Sequence, residues 1–247
     1  MTDNYQQEFL FEGHAKCVSY GVHDIIPENL EGLKAAFILE SPYRDEVAFQ
    51  CPVAGASGKA ISRYMGVIDP KIPSNLPFGR YLKKSKDGRF AVLNCSNYPM
   101  DANAYRCTAL DVECLSSTSL ESISRVPEDI QNDCPGSGRF NIPYDPEVLD
   151  KIRRTIQVSP RRSRDAKYVR TLDLLTVDFR ERVSRVLSRE VLVIVCGSIA
   201  KNFLELSGVV IDARFICVPH PSRNQWNQVR YRELMLGLKN RLSVVLL

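Results

Sequence analysis

Four short apolar runs, rich in β-branched and small residues, recur along this chain, and each stops at a polar or glycine-bearing turn. Ala35-Ala36-Phe37-Ile38-Leu39 leads into Glu40-Ser41-Pro42, and Phe90-Ala91-Val92-Leu93 leads into Asn94. Val191 to Val195 leads into Cys196-Gly197-Ser198, and Phe215-Ile216-Cys217-Val218 leads into Pro219-His220-Pro221-Ser222. Such runs, followed by helical periodicity, are strands feeding loops in an α/β sheet. The intervening patterns predict helices over Gly58–Met65, Pro77–Lys84, Pro146–Ile156, Tyr168–Leu187, Ile199–Leu206 and Asn227–Leu242. Asp145-Pro146 reads as an N-cap with proline at N1, and Ser198 reads as the cap of the helix after it. Crossover helices imply a largely parallel sheet, whose ligands sit beyond the carboxyl ends of the strands. The expected fold is a three-layer α/β/α domain around a central, largely parallel four-stranded sheet. One domain is expected over 1–247, with a long loop-rich insertion at about 100–167.

With 44 % hydrophobic and 25 % charged residues in 247, the chain buries a core without disulfides or metal, which excludes disordered and fibrous classes. No apolar run approaches the length of a membrane span, and Met1-Thr2-Asp3-Asn4-Tyr5 lacks a signal peptide's basic and apolar regions. A cytoplasmic monomer is expected, with no membrane association and no obligatory protein partner. The eight cysteines include no C-x-x-C pair, and three histidines are too few to complete a metal framework, so no metal and no cofactor are expected. Cys196 and Cys217 read as small buried hydrophobes. The net charge is only +4, but Lys151 to Arg170 holds eight basic residues against one acid, Asp165. Arg161, Arg162 and Arg164 form its densest part, which either binds phosphates or is a solvated face.

The first polar loop puts a carboxylate, Glu40, at a strand end and then opens a helix with Gly55-Ala56-Ser57-Gly58, a backbone arrangement suited to anions. Taken whole, Glu40 to Gly58 resembles the first motif of the uracil-DNA glycosylase superfamily, in the branch written G-E-A-P-G-x-x-E-x-x-x-G-x-P-F-x-G-x-[SA]-G. Glu40, Pro42, Glu46, Pro52, Gly55, Ser57 and Gly58 fall in register, and Tyr43 takes the second glycine position, as in the branch that reads G-Q-D-P-Y. Val92-Leu93-Asn94 resembles the strand-end asparagine, Val193 to Ala200 the strand and helix start written L-G-x-x-A, and His220-Pro221-Ser222 the H-P-S motif. The likeness covers about 35–232.

The resemblance implies the superfamily's fold and a monofunctional DNA glycosylase that flips a nucleotide from the stack and hydrolyses its N-glycosidic bond. It implies Glu40 and His220 as the catalytic anion and donor. Asn94, Tyr43 and Val53 would face the base; Ser57, Gly58 and Ser222 would hold phosphates; Arg223 and Asn224 would meet DNA beside Arg161, Arg162 and Arg164. Trp226 either enters the vacated stack or packs under the C-terminal helix, and Glu46 either orients the first loop or touches substrate. The chain departs from the motif at Leu39, in place of glycine, and at Ser41, where one branch has its water-activating aspartate. Val53 replaces the phenylalanine on which uracil stacks, and Cys17 has no C-x-x-C partner for the related iron-sulfur cluster. The substrate expected is uracil or a bulkier modified pyrimidine. A hydroxymethylated or glucosylated cytosine of viral DNA would make this a defence enzyme. A catalytically silent DNA-binding module and a hydrolase of free nucleosides or nucleotides are the other readings.

Overall fold

The computed structural model describes residues 21–104, 145–160 and 164–246. Its sheet holds β1 (Ala35–Leu39), β2 (Phe90–Asn94), β3 (Leu192–Cys196) and β4 (Phe215–Val218) in the order β2-β1-β3-β4, every pair parallel. The strands lie where the apolar runs place them, within one residue.

Strand alternation divides the core in two. Ala36, Ile38, Ala91, Leu93, Val193 and Val195 pack on one side. They meet α4 (Pro146–Val158), α5 (Ala166–Leu187) and α6 (Ser198–Leu206) through side chains such as Ile152, Phe179 and Phe203. Ala35, Phe37, Phe90, Val92, Leu192 and Ile194 face the other side. There α2 (Ala56–Ile68), α3 (Phe78–Ser85) and α7 (Arg232–Leu246) supply Ile61, Phe78 and Leu238. The result is the three-layer α/β/α arrangement. Ile25 covers the outer edge of β2 by exchanging two backbone hydrogen bonds with Val92, at 2.9 and 2.8 Å, which blunts an otherwise open edge. Among the described residues, no helix is long and apolar enough to cross a membrane.

Local chemistry sets the helix starts. Asp145 accepts hydrogen bonds from the Glu147 and Val148 amides ahead of Pro146, as expected. Asp165 does the same for Lys167 and Tyr168, starting α5 two residues earlier than the apolar periodicity suggests. Ser198 is the first residue of α6 rather than its cap; Gly197 holds the cap position at φ 96°. The C-terminal helix begins at Arg232, because short 3-10 turns over Ser222–Asn227 and Val229–Tyr231 come first. A six-residue helix, α1 (Arg44–Phe49), was not expected in the first loop. The expected insertion also shrinks. Val148, Leu149, Ile152 and Ile156 of α4 are core residues, so the chain from Asp145 to Val158 belongs to the domain proper. Positions 105–144 lie outside the described residues. Cys217 is exposed, because β4 is an edge strand left partly uncovered, whereas Cys196 is buried.

Candidate functional site

The parallel register sends all four strand ends to one edge. Glu40 follows β1, Asn94 ends β2, Gly197 follows β3 and His220 lies two residues past β4. Leu39 belongs to the α2 side of the core, so its successor Glu40 leans to the α4 side. There it accepts a hydrogen bond from Arg153 Nε of α4 at 2.5 Å. Arg153 Nη2 also faces Asp101 at 3.7 Å. Burial raises the Glu40 carboxyl above its ordinary value, and the Arg153 guanidinium opposes that shift. Arg153 was legible in the sequence only as one charge in a basic run. The signal that separates it is spacing: it lies four residues after Leu149 and three before Ile156, on the buried stripe of its helix.

His220 accepts at Nδ1 from the Ser222 backbone N–H at 3.3 Å, with Ser222 Oγ 2.8 Å away. A backbone N–H can only donate, so Nδ1 is the acceptor and the ring proton is assigned to Nε2. Burial, reinforced by the positive charge of Arg153, lowers His220 to about 4. At neutral pH the ring is therefore uncharged and carries one donor, at Nε2. Gly197 permits this placement: a Cβ there would lie 3.1 Å from the His220 Cβ. Glycine tolerates both that approach and the positive φ.

Asn94 is wholly buried, and its Oδ1 and Nδ2 have no hydrogen-bond partner among the described residues. Leaving a buried polar atom unsatisfied costs about 1–3 kcal/mol, a cost a ligand with matching donors and acceptors would recover. The amide lies near enough to Glu46 to favour its carboxylate form, though outside hydrogen-bonding geometry. Glu46 joins the first loop together: Oε2 accepts from Tyr43 N–H at 2.9 Å and Oε1 from Val53 N–H at 2.6 Å. That is the loop-orienting role. Burial nevertheless raises Glu46 to about 7, against the pull of both backbone donors and Asn94.

Tyr43 is exposed, with the Arg44 guanidinium 5.5 Å from its ring centre, so it has a free aromatic surface. Val53 does not: it is 1 % exposed, packed in the core at φ 48°. The residue that stands in for the motif's phenylalanine is thus a core side chain, in one cluster with Leu39, Ile61 and Phe78. Behind Asn94, Asp24 Oδ1 accepts the Asn94 backbone N–H at 3.0 Å. Arg182 Nη1 reaches Asp24 Oδ2 at 2.6 Å and the Asn94 carbonyl at 2.9 Å, which fixes the end of β2. Neither residue was singled out by the sequence, because the pair is separated by 158 positions.

Ser57 stands in the first turn of α2, where backbone N–H groups lack helical partners. Gly58 is there for packing, since a Cβ would come 1.7 Å from the Val53 carbonyl oxygen. Asp45 already faces this helix start: a Cβ on Gly55 would lie 2.1 Å from its Oδ2. A phosphate at Ser57 and Gly58 would therefore meet a carboxylate. Ser222 is occupied with His220, while Arg223 and Asn224 form an exposed tip with consecutive left-handed backbones at φ 54° and 55°. Trp226 packs. It is 5 % exposed, donates to the Pro219 carbonyl at 2.7 Å and meets Tyr64 edge-on.

Four of the eight basic residues in the run are held in ion pairs within the domain. Arg153 pairs with Glu40, Arg154 with Asp150, Lys151 with Asp165 and Lys167 with Asp145. Arg164 lies with Arg170 along a groove floored by Val169, Leu174 and Val177, on α5. Arg161 and Arg162 lie outside the described residues. Among the described residues, no three His, Cys, Asp or Glu side chains are grouped to hold a metal ion. Neither a family model nor a curated protein matches this chain.

Proposed function

We propose that this chain is a monofunctional DNA glycosylase acting on uracil or a modified pyrimidine. The observation that carries the reading is that a carboxylate, Glu40, and an uncharged histidine with a donor at Nε2, His220, both stand at the carboxyl edge of the same sheet. Breaking an N-glycosidic bond leaves positive charge on the sugar and sends the bonding electron pair to the departing base. Glu40 stabilises the first charge and orients the water that adds to the anomeric carbon. His220 donates to the oxygen on which the second charge gathers, and because the ring begins neutral this donation needs no prior protonation. The water's proton ends on the released base or in solvent. Asn94 selects the base, because a ligand that leaves its amide unpaired forfeits the cost described above. Glu40 leans to the α4 side and Asn94 lies on the α2 side, so the nucleotide would straddle the end of β1.

Oligonucleotides carrying uracil, hydroxymethylcytosine or glucosylated hydroxymethylcytosine, scored for alkali-labile abasic sites, test the reading. Release from one of them should fall at least about 100-fold in Glu40→Gln and in His220→Ala. The sealed Asn94 and the occupied Glu40 favour a second reading, a silent DNA-binding module. DNA binding without release from any substrate would establish that one instead.

A further inference from the structure

We propose that Arg153, fixed between Asp101 and Glu40, is a positioning residue that holds the Glu40 carboxylate in place at the carboxyl edge of the sheet. Its consequence for turnover rests on the glycosylase reading; its electrostatic content does not. Arg153 is well placed for this task. Its helix is pinned by Ile152 and Ile156, both wholly buried, and its side chain is 24 % exposed. Nε donates to Glu40 at 2.5 Å, while Nη2 looks toward Asp101 on the loop after β2 at 3.7 Å. A lone arginine on Glu40 would cancel the negative charge that a cationic sugar needs. Asp101 restores it: two carboxylates against one guanidinium leave the cluster at −1.

Among the described residues, the charged and titratable groups that face this cluster are few. Glu40 faces Arg153 and Asp101, with the Cys95 thiol nearby at the end of β2. Arg153 faces Glu40, Asp101 and Asp150. His220 Nδ1 lies 2.8 Å from the Ser222 hydroxyl. The positive charge of Arg153 favours the carboxylate form of Glu40, which is its working state in the proposed pair.

The test is a pH titration of the Glu40 side-chain carboxyl by carbon-13 NMR on the full chain, in wild type, Arg153→Gln and Arg153→Lys. The midpoint should lie above the ordinary 4.5 in wild type, where burial outweighs the guanidinium. It should rise further in Arg153→Gln and stay close to wild type in Arg153→Lys, which keeps the charge. In the release assay, the acid limb of the rate should move toward neutral pH in Arg153→Gln and return in Arg153→Lys. Asp101→Asn, at a position whose side chain is 21 % exposed, provides the opposite sign: it relieves a charge that raises Glu40, so its acid limb should move down. A folded Arg153→Gln whose Glu40 midpoint is unchanged overturns the inference. So does a uniform loss of rate with both limbs in place. If Arg153→Gln fails to fold, an unmoved limb in Asp101→Asn overturns it instead. Should no oligonucleotide be cut by wild type, the NMR arm still decides the inference while the glycosylase reading fails by itself.

Discussion

Gly197→Ala is the most exposing substitution for the geometry of this edge. The residue has φ 96° and ψ 168°, a conformation all but reserved to glycine, and forcing an L side chain into it costs about 1–3 kcal/mol. The added methyl would also stand 3.1 Å from the His220 Cβ and 3.7 Å from its Cα. These atoms are the root of a side chain, not its flexible end, so the histidine backbone itself must move, at about 1 kcal/mol more. A total of roughly 2–4 kcal/mol corresponds to a melting temperature lower by about 5–15 °C for a domain of this size. Thermal denaturation followed by circular dichroism reads that shift. Gly237→Ala is the matched control: it lies within α7 with nothing within 4 Å of its would-be Cβ, so alanine should stabilise by up to about 1 kcal/mol. Base release by Gly197→Ala, measured below its melting transition, should fall at least about 10-fold, because His220 is displaced from the reacting geometry. A Gly197→Ala protein melting within about 1 °C of wild type would refute the argument.

Glu46 and Arg182 carry two further expectations. The folded Glu46 titrates near 7 against an ordinary value of 4.5, so between those pH values the native state binds the extra proton and stability falls as pH rises. Denaturant unfolding should therefore lose up to about 3 kcal/mol from pH 5 to 7.5, an upper limit since Glu46 is only half-buried, and Glu46→Gln should flatten that slope; an unchanged slope would count against the assignment. Arg182→Met should cost about 3–5 kcal/mol in urea unfolding, since the Asp24 side chain, 5 % exposed, loses its cationic partner and keeps the Asn94 N–H. A loss below about 1 kcal/mol would show that Asp24 is not held as described.

Strands were the most legible part of this chain, because a five-residue apolar run bounded by turns has few alternatives. Helix α1 was not, since Arg44-Asp45-Glu46-Val47-Ala48-Phe49 shows no apolar stripe and depends on the Glu46 contacts to form. Of the site, Glu40, Asn94 and His220 could be placed at strand ends by counting residues. Arg153 could not be tied to Glu40 from 113 positions away, nor Arg182 to Asp24, because ion pairs between distant segments leave no periodic mark. The backbone-level facts were equally hidden: Val53 turned inward in a left-handed conformation, Asp45 over the start of α2, and the Gly197 approach to His220.

Trp226 gives this edge a built-in light source. It is the only tryptophan in the chain, shielded between Tyr64 and α7, and its indole N–H is anchored to the carbonyl of Pro219, immediately before His220. Intrinsic emission excited at the red edge of the tyrosine band therefore reports one location, the segment that carries the histidine. A ligand that shifts Pro219 changes the polarity around a single fluorophore, so the loop can be followed in real time without a label.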